Sequence, residues 1–200
     1  MSAVRLPSAN RQAEIIQAVL ELAAQQSPAE ITTAEIARHL GLSQGALFRH
    51  YSSKDDIWRA VMEWVETTLL EHLHDAAAQS PTPLEGLQAV FFRHIDFVMR
   101  NPGVPRLIFN DLQQPQTSAV KQTVQRLLLR YRQLLAELLQ NARQSGQIGA
   151  HQEPDPVITL FIGLLQGLVM QSMLRGDTQS MLTEGQRVFP LFLAALKESS

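Results

Sequence analysis

The chain has no cysteine, which excludes disulfides, thiolate metal sites and cysteine nucleophiles and makes it indifferent to redox compartment. Aromatic residues are scarce at 6% and charged ones reach only 18%, yet 45% of the residues are hydrophobic, a globular rather than disordered composition. The net charge is −2, so any grip on a polyanion must come from local clustering of cations. The start, MSAVRLPSANRQ, lacks the apolar core of a secretory leader. The longest greasy stretch, Val157 to Met170, is broken by Thr159 and Gln166 and falls short of the roughly 20 residues of a membrane span. There is no phosphate-binding glycine loop. A soluble cytoplasmic protein is expected.

Strand-like alternation is also hard to find. Apolar residues recur at three- and four-residue spacing almost everywhere. The breaks carry helix punctuation: Thr32 with Glu35 forms a capping box, Ser53 with Asp56 a weaker one, and Thr82-Pro83-Leu84-Glu85 a cap followed by proline. Asn101-Pro102 and Asp155-Pro156 repeat that cap-then-proline order. The pattern predicts an all-α chain of about nine helices, near 9–26, 33–40, 44–50, 54–79, 83–100, 102–113, 117–145, 155–175 and 178–197.

Within this pattern, HLGLSQGALFRHY at 39–51 has two incompatible readings. Gly41 to Gly45 fits G-x-S-x-G, the turn that presents a nucleophilic serine in many hydrolases. That turn needs a strand leading in, whereas TAEIARHL before Gly41 has helical spacing and its own cap. The other reading accounts for each residue. Gly41 ends one helix in a left-handed conformation, Leu42 packs in the turn beneath both helices, and Ser43 caps the next helix. Two short helices joined by such a turn form a helix-turn-helix.

A helix-turn-helix acts on DNA by laying its second helix in the major groove, N-terminal side chains toward base edges. Gln44 can bond an adenine in paired fashion, Gly45 permits close backbone approach, and Ala46 offers a methyl contact to thymine. Leu47 faces inward. Between residues 36 and 54 stand Arg38, His39, Arg49, His50 and Lys54 and no acid. Beyond them Asp55, Asp56, Glu63, Glu66, Glu71 and Asp75 face only Arg59. A cationic patch confined to the reading helix and its flanks suits phosphate contact.

The string ITTAEIARHLGLSQGALFRHYSSKDDIW, residues 31–58, resembles the DNA-binding region of the tetracycline-repressor (TetR) family of bacterial transcription regulators. Arg11 to Gln26 fills the place of the helix that precedes the motif in that family. The resemblance implies a three-helix DNA-binding domain, here 1–54, with helix 54–79 connecting it to a ligand-binding and dimerisation domain, 55–200. By matching positions, Thr33 and Lys54 would touch phosphates, Ser43 would cap, and Gln44, Gly45 and Ala46 would approach bases. His50 and Tyr51 would lie along the backbone side. Phe48 stands where the family usually has tyrosine, so only ring packing carries over there; Gln44 stands where many members have lysine, and Arg49 can supply part of that contact.

Val120, Val124, Leu127, Tyr131, Leu134 and Leu138 form the stripe of a bundle helix. The next helix, VITLFIGLLQGLVMQSML, is apolar nearly all round and must be covered on more than one side. The family commonly pairs its last two helices with those of a second subunit, so 155–175 and 178–197 are expected at a homodimer interface. Two reading heads would then span a palindromic double-stranded operator. An effector would change the distance between them by way of the connector helix. Residues expected at the effector pocket are Phe91, His94, Phe97, Phe109, Tyr131, Gln166 and Met170. The effector is expected to be a small apolar or amphipathic molecule, its identity unknown. Glu71, His72, His74 and Asp75 read as exposed charge on the connector rather than a metal site. No cofactor and no catalytic residue is expected. The alternatives are a helical adaptor without DNA binding and a serine hydrolase using Ser43.

Overall fold

The computed structural model describes residues 8–149 and 153–197. Residues 1–7, the first part of the segment MSAVRLPSANRQ, lie outside the described residues. Nine helices and no strand occur among the described residues: α1 (Ser8–Gln25), α2 (Thr33–His39), α3 (Gln44–Leu47), α4 (Lys54–Ala78), α5 (Pro83–Arg100), α6 (Gly103–Leu112), α7 (Ala119–Gln144), α8 (Pro154–Arg175) and α9 (Ser180–Lys197).

The chain divides into two compact units, one of residues 1–67 and 101–125, the other of 68–100 and 126–200. The expected functional boundary at 54–55 is therefore not where the packing divides, because α6 and the start of α7 pack with the N-terminal helices. In the first unit Ile15, Ala18, Val19 and Ala23 bury one stripe of α1, which docks on both α2 and α6. Gly103 opens α6 where any Cβ would strike the Leu20 carbonyl oxygen of α1. Only glycine lets the two backbones come so close.

In the second unit Phe91, Phe161, Phe189 and Phe192 form a connected aromatic core across α5, α8 and α9, with centroid separations from 4.7 to 5.7 Å. Gly185 makes room for it, since a Cβ there would lie 2.7 Å from Ile95 Cδ1. Helix α8 runs 22 residues with a mean hydropathy of 1.9 over its best window, so by length and composition it is long and apolar enough to cross a membrane. That corrects the expectation from the shorter Val157–Met170 run. Its Val157, Phe161, Leu165 and Leu168 are nevertheless buried against the unit's own core.

Two expected caps differ. Helix α6 begins after Pro102, which caps without a side-chain bond. Helix α8 begins at Pro154 with Glu153 as cap, which places Asp155 inside the first turn, where its charge complements the exposed amides.

A helix-turn-helix with an exposed reading end

The turn at 40–43 forms because each residue satisfies a backbone group. Gly41 adopts φ 66°, the Gly41 N–H donates to Arg38 O at 3.0 Å, and the Leu42 N–H reaches back to Ala37 O at 2.8 Å. This is the paired C-terminal closure that favours glycine. Ser43 then accepts from the Ala46 N–H at 3.2 Å. The residues before Gly41 are a helix with a complete capping box, Thr32 and Glu35 exchanging bonds of 2.9 and 3.1 Å. No strand enters the turn, and Ser43 is a cap. Ile36, Ala37 and Leu47 are buried beneath it, with Leu42 half-buried.

Helix α3 is shorter than expected, ending at Leu47 rather than at His50. Beyond it the Arg49 and His50 N–H groups donate to Ala46 O and Leu47 O, three residues back, so the chain tightens into turns. The exposed surface comprises Ser43, Gln44, Gly45, Phe48 and Arg49, with Thr33, Ala46, His50, Tyr51 and Lys54 half-buried around it. Phe48 keeps 42% of its surface exposed, an unusual position for a ring without a polar handle.

Two pairings here are invisible in linear order, and a third is a local i,i+3 pair. The Gln44 amide donates to Thr33 Oγ1 at 2.8 Å, so two residues expected on DNA already orient each other. His39 meets Glu21 of α1 at 2.9 Å, and that contact is the main reason the Glu21 carboxyl is held below its usual range. Arg38 lies 3.7 Å from Glu35. Two of the five basic or titratable side chains of the patch are thus in direct contact with an acid. Lys54 sits 5.2 Å over the Trp58 ring, where burial pushes its ammonium down while Asp55 and Glu35 push it up. Burial, with Glu63 adding to it, raises the Tyr51 phenol.

The expected effector residues are not gathered at one place. Phe91 and Tyr131 are buried in the second unit, where the Tyr131 hydroxyl lies 3.3 Å from His94 Nδ1 and its ring 6.3 Å from Phe161. Phe97 is buried with His72 at its edge, 6.3 Å away. Gln166 and Met170 are exposed on α8, and Phe109 belongs to the first unit. Phe161, Phe189 and Phe192, which complete the cluster, were hidden by the uniform greasiness of α8 and α9.

Burial lowers the His94 imidazole from its ordinary 6.5 to about 4. The fold therefore holds the neutral ring, and the unfolded chain takes up a proton first as pH falls. This stabilising contribution is complete above 6.5 and is lost between 6.5 and about 4. Melting temperature should fall between pH 7 and about pH 5 in the wild type and fall less in His94→Gln, by scanning calorimetry. Equal slopes in both proteins would contradict it.

Residues 15–61 match the model of "Bacterial regulatory proteins, tetR family", and residues 113–184 match that of "Tetracyclin repressor-like, C-terminal domain", together more than half of the chain. Nucleoid occlusion factor SlmA of Idiomarina loihiensis is 26% identical over 162 residues, covering 81% of this chain and 83% of that protein. SlmA of Alteromonas mediterranea is 27% identical over 174 residues, 85% of this chain and 89% of its own. Among solved structures, the fatty acid degradation regulator FadR from Bacillus halodurans superposes with a TM-score of 0.83 at 16% identity, over 98% of this chain and 100% of that one. FadR from Bacillus subtilis, in complex with stearoyl-CoA, gives 0.79 at 18%, over 90% and 97%. These structures show the shared fold.

Proposed function

Because this chain belongs to the tetracycline-repressor family of DNA-binding transcription regulators, we propose that it is an effector-responsive repressor that binds a palindromic operator as a homodimer in the cytoplasm. The observation that carries the reading is the exposed, capped end of α3, with Gln44 and Gly45 outermost and Lys54 and Arg49 at its flanks. Gln44, Gly45 and Ala46 approach base edges; Thr33, His50, Tyr51 and Lys54 serve the backbone. The Thr33 hydroxyl, having accepted from Gln44, keeps its own proton for a phosphate oxygen. Phe48 packs its ring against the sugar–phosphate wall.

Residues 1–54 act as the reading domain, α4 as connector and 55–200 as the effector and dimerisation domain. The effector, small and apolar or amphipathic, is taken up around Phe91, His94 and Tyr131, where a hydrogen-bonding pair sits among aromatic rings. The B. subtilis FadR complex with an acyl-CoA supports that class of ligand. Dimerisation uses α8 and α9, whose outward faces carry Leu160, Met170, Leu174, Leu182 and Leu191 exposed.

Gel-shift titration on a selected operator tests the reading. Gln44→Ala should cost about 1–3 kcal/mol at one base position and leave others unchanged, whereas Lys54→Ala should weaken every sequence alike and flatten the salt dependence. If Gln44→Ala binds all operator variants as wild type does, direct readout through α3 fails. The SlmA matches over four fifths of the chain favour a second reading, in which the same DNA binding serves nucleoid occlusion. Bound sites whose neighbouring genes change expression on deletion support the regulator; bound sites without any transcriptional effect support the second.

A further inference from the structure

Neither the reading helix nor the aromatic cluster uses a cavity that lies wholly within the first unit. It is lined by Trp58 and Met62 of α4, Leu107, Asn110 and Asp111 of α6, and Val120 of α7. Its volume is about 30 Å³, and a single water needs roughly 10–15 Å³, so it accepts a group the size of two waters with a stem leading outward. The wall is divided in character. Met62, Leu107 and Val120 are buried and apolar, while Trp58, Asn110 and Asp111 are half-buried.

The polar groups are incompletely used. Asp111 accepts one bond, from the Ser118 hydroxyl at 2.5 Å, and among the described residues no cation pairs with its carboxylate. Lys121, on the next turn, donates instead to the carbonyls of Gln114 and Gln116. The Asn110 carboxamide has no hydrogen-bonding partner among the described residues. Lys54 rests on the Trp58 ring, so the attraction of that ring for positive charge is already engaged from within the chain.

We propose that this cavity is a second ligand site, taking the protonated amino group of a small primary amine. A half-buried carboxylate repels anionic ligands and forms charge-assisted bonds with an ammonium. The Asn110 carbonyl oxygen accepts a second N–H, and the Trp58 indole beside the cavity reports on its occupancy. Met62, Leu107 and Val120 close the buried wall, and a short alkyl stem leads outward. The site differs in place and in ligand charge from the aromatic cluster around Tyr131, and it does not depend on DNA binding.

The test uses the full chain and n-propylammonium chloride, with n-propanol and sodium propanoate as matched probes. Binding is followed by NMR on the two tryptophan indole N–H signals, since the chain has two tryptophans; the Trp58 signal is assigned by its loss in Trp58→Phe. The amine should give a saturable shift of the Trp58 signal, and neither the alcohol nor the carboxylate should match it. Asp111→Asn, which keeps an acceptor for Ser118, should weaken the amine at least tenfold. Val120→Leu, which fills the space without touching charge, should abolish the shift. Absence of a saturable shift with the amine, an equal response to propanoate or propanol, or full binding in either variant overturns the site. If Asp111→Asn fails to fold, Val120→Leu decides alone.

Discussion

Gly163→Arg should leave each chain folded and reduce affinity for a palindromic operator by about 10²- to 10⁴-fold, the range by which linked binding exceeds a single site. Leu160, Gly163, Gly167, Met170 and Leu174 follow one another at steps of three and four along α8, so they share one face. Leu160, Met170 and Leu174 are 49%, 41% and 80% exposed. A Cβ built on Gly163 or Gly167 meets nothing within 4 Å, so a large side chain fits the isolated chain without strain. Against a second copy the same side chain would bring a buried, unpaired charge into the centre of an apolar seam. Light scattering should report a monomer, and gel shifts the lost affinity. A variant that stays dimeric and binds as the wild type does would remove α8 from the interface.

Gly103→Ala should be the most damaging single methyl in the chain. The added carbon would strike the Leu20 carbonyl oxygen and lie 3.1 Å from both the Ala23 Cβ and the Ala24 amide nitrogen. Backbone cannot rotate out of the way as a side chain can, so α1 and α6 must part. The cost is about 3 kcal/mol, the upper end of ordinary overpacking, which lowers the melting temperature of a chain this size by about 6–12 °C. Gly45→Ala, in helix α3, provides the contrast. There the methyl meets open space, and relief of glycine's backbone entropy should stabilise the chain by about 0.5–1 kcal/mol. Calorimetry on the two variants should show opposite signs; a Gly103→Ala protein that melts at or above the wild type would rule out a steric role for this glycine.

The sequence carried the helices because their signals are local. Apolar spacing and the Thr32, Ser53 and Thr82 caps located α2, α4 and α5 to within a residue or so, and the capping bonds are present in each case. It also answered whether Ser43 is a nucleophile or a cap, since both candidate contexts differ within ten residues. What it did not carry are relations across helices. Glu21 and His39 are 18 residues apart and Gln44 and Thr33 11, and no periodicity announces either pair. The membership of α6 in the first unit depends on one glycine whose role is steric, and an apolar-all-round helix such as α8 hides which of its rings point inward.

The bond between Gln44 and Thr33 has a consequence for how finely a base can be told from its rivals. A carboxamide has two N–H donors and one carbonyl oxygen, and Thr33 takes only one donor. Gln44 therefore keeps one N–H and its oxygen for the paired contact with an adenine, and the held amide meets the base with less freedom left to lose. Such an arrangement holds the fingertip still without spending the groups that choose among bases.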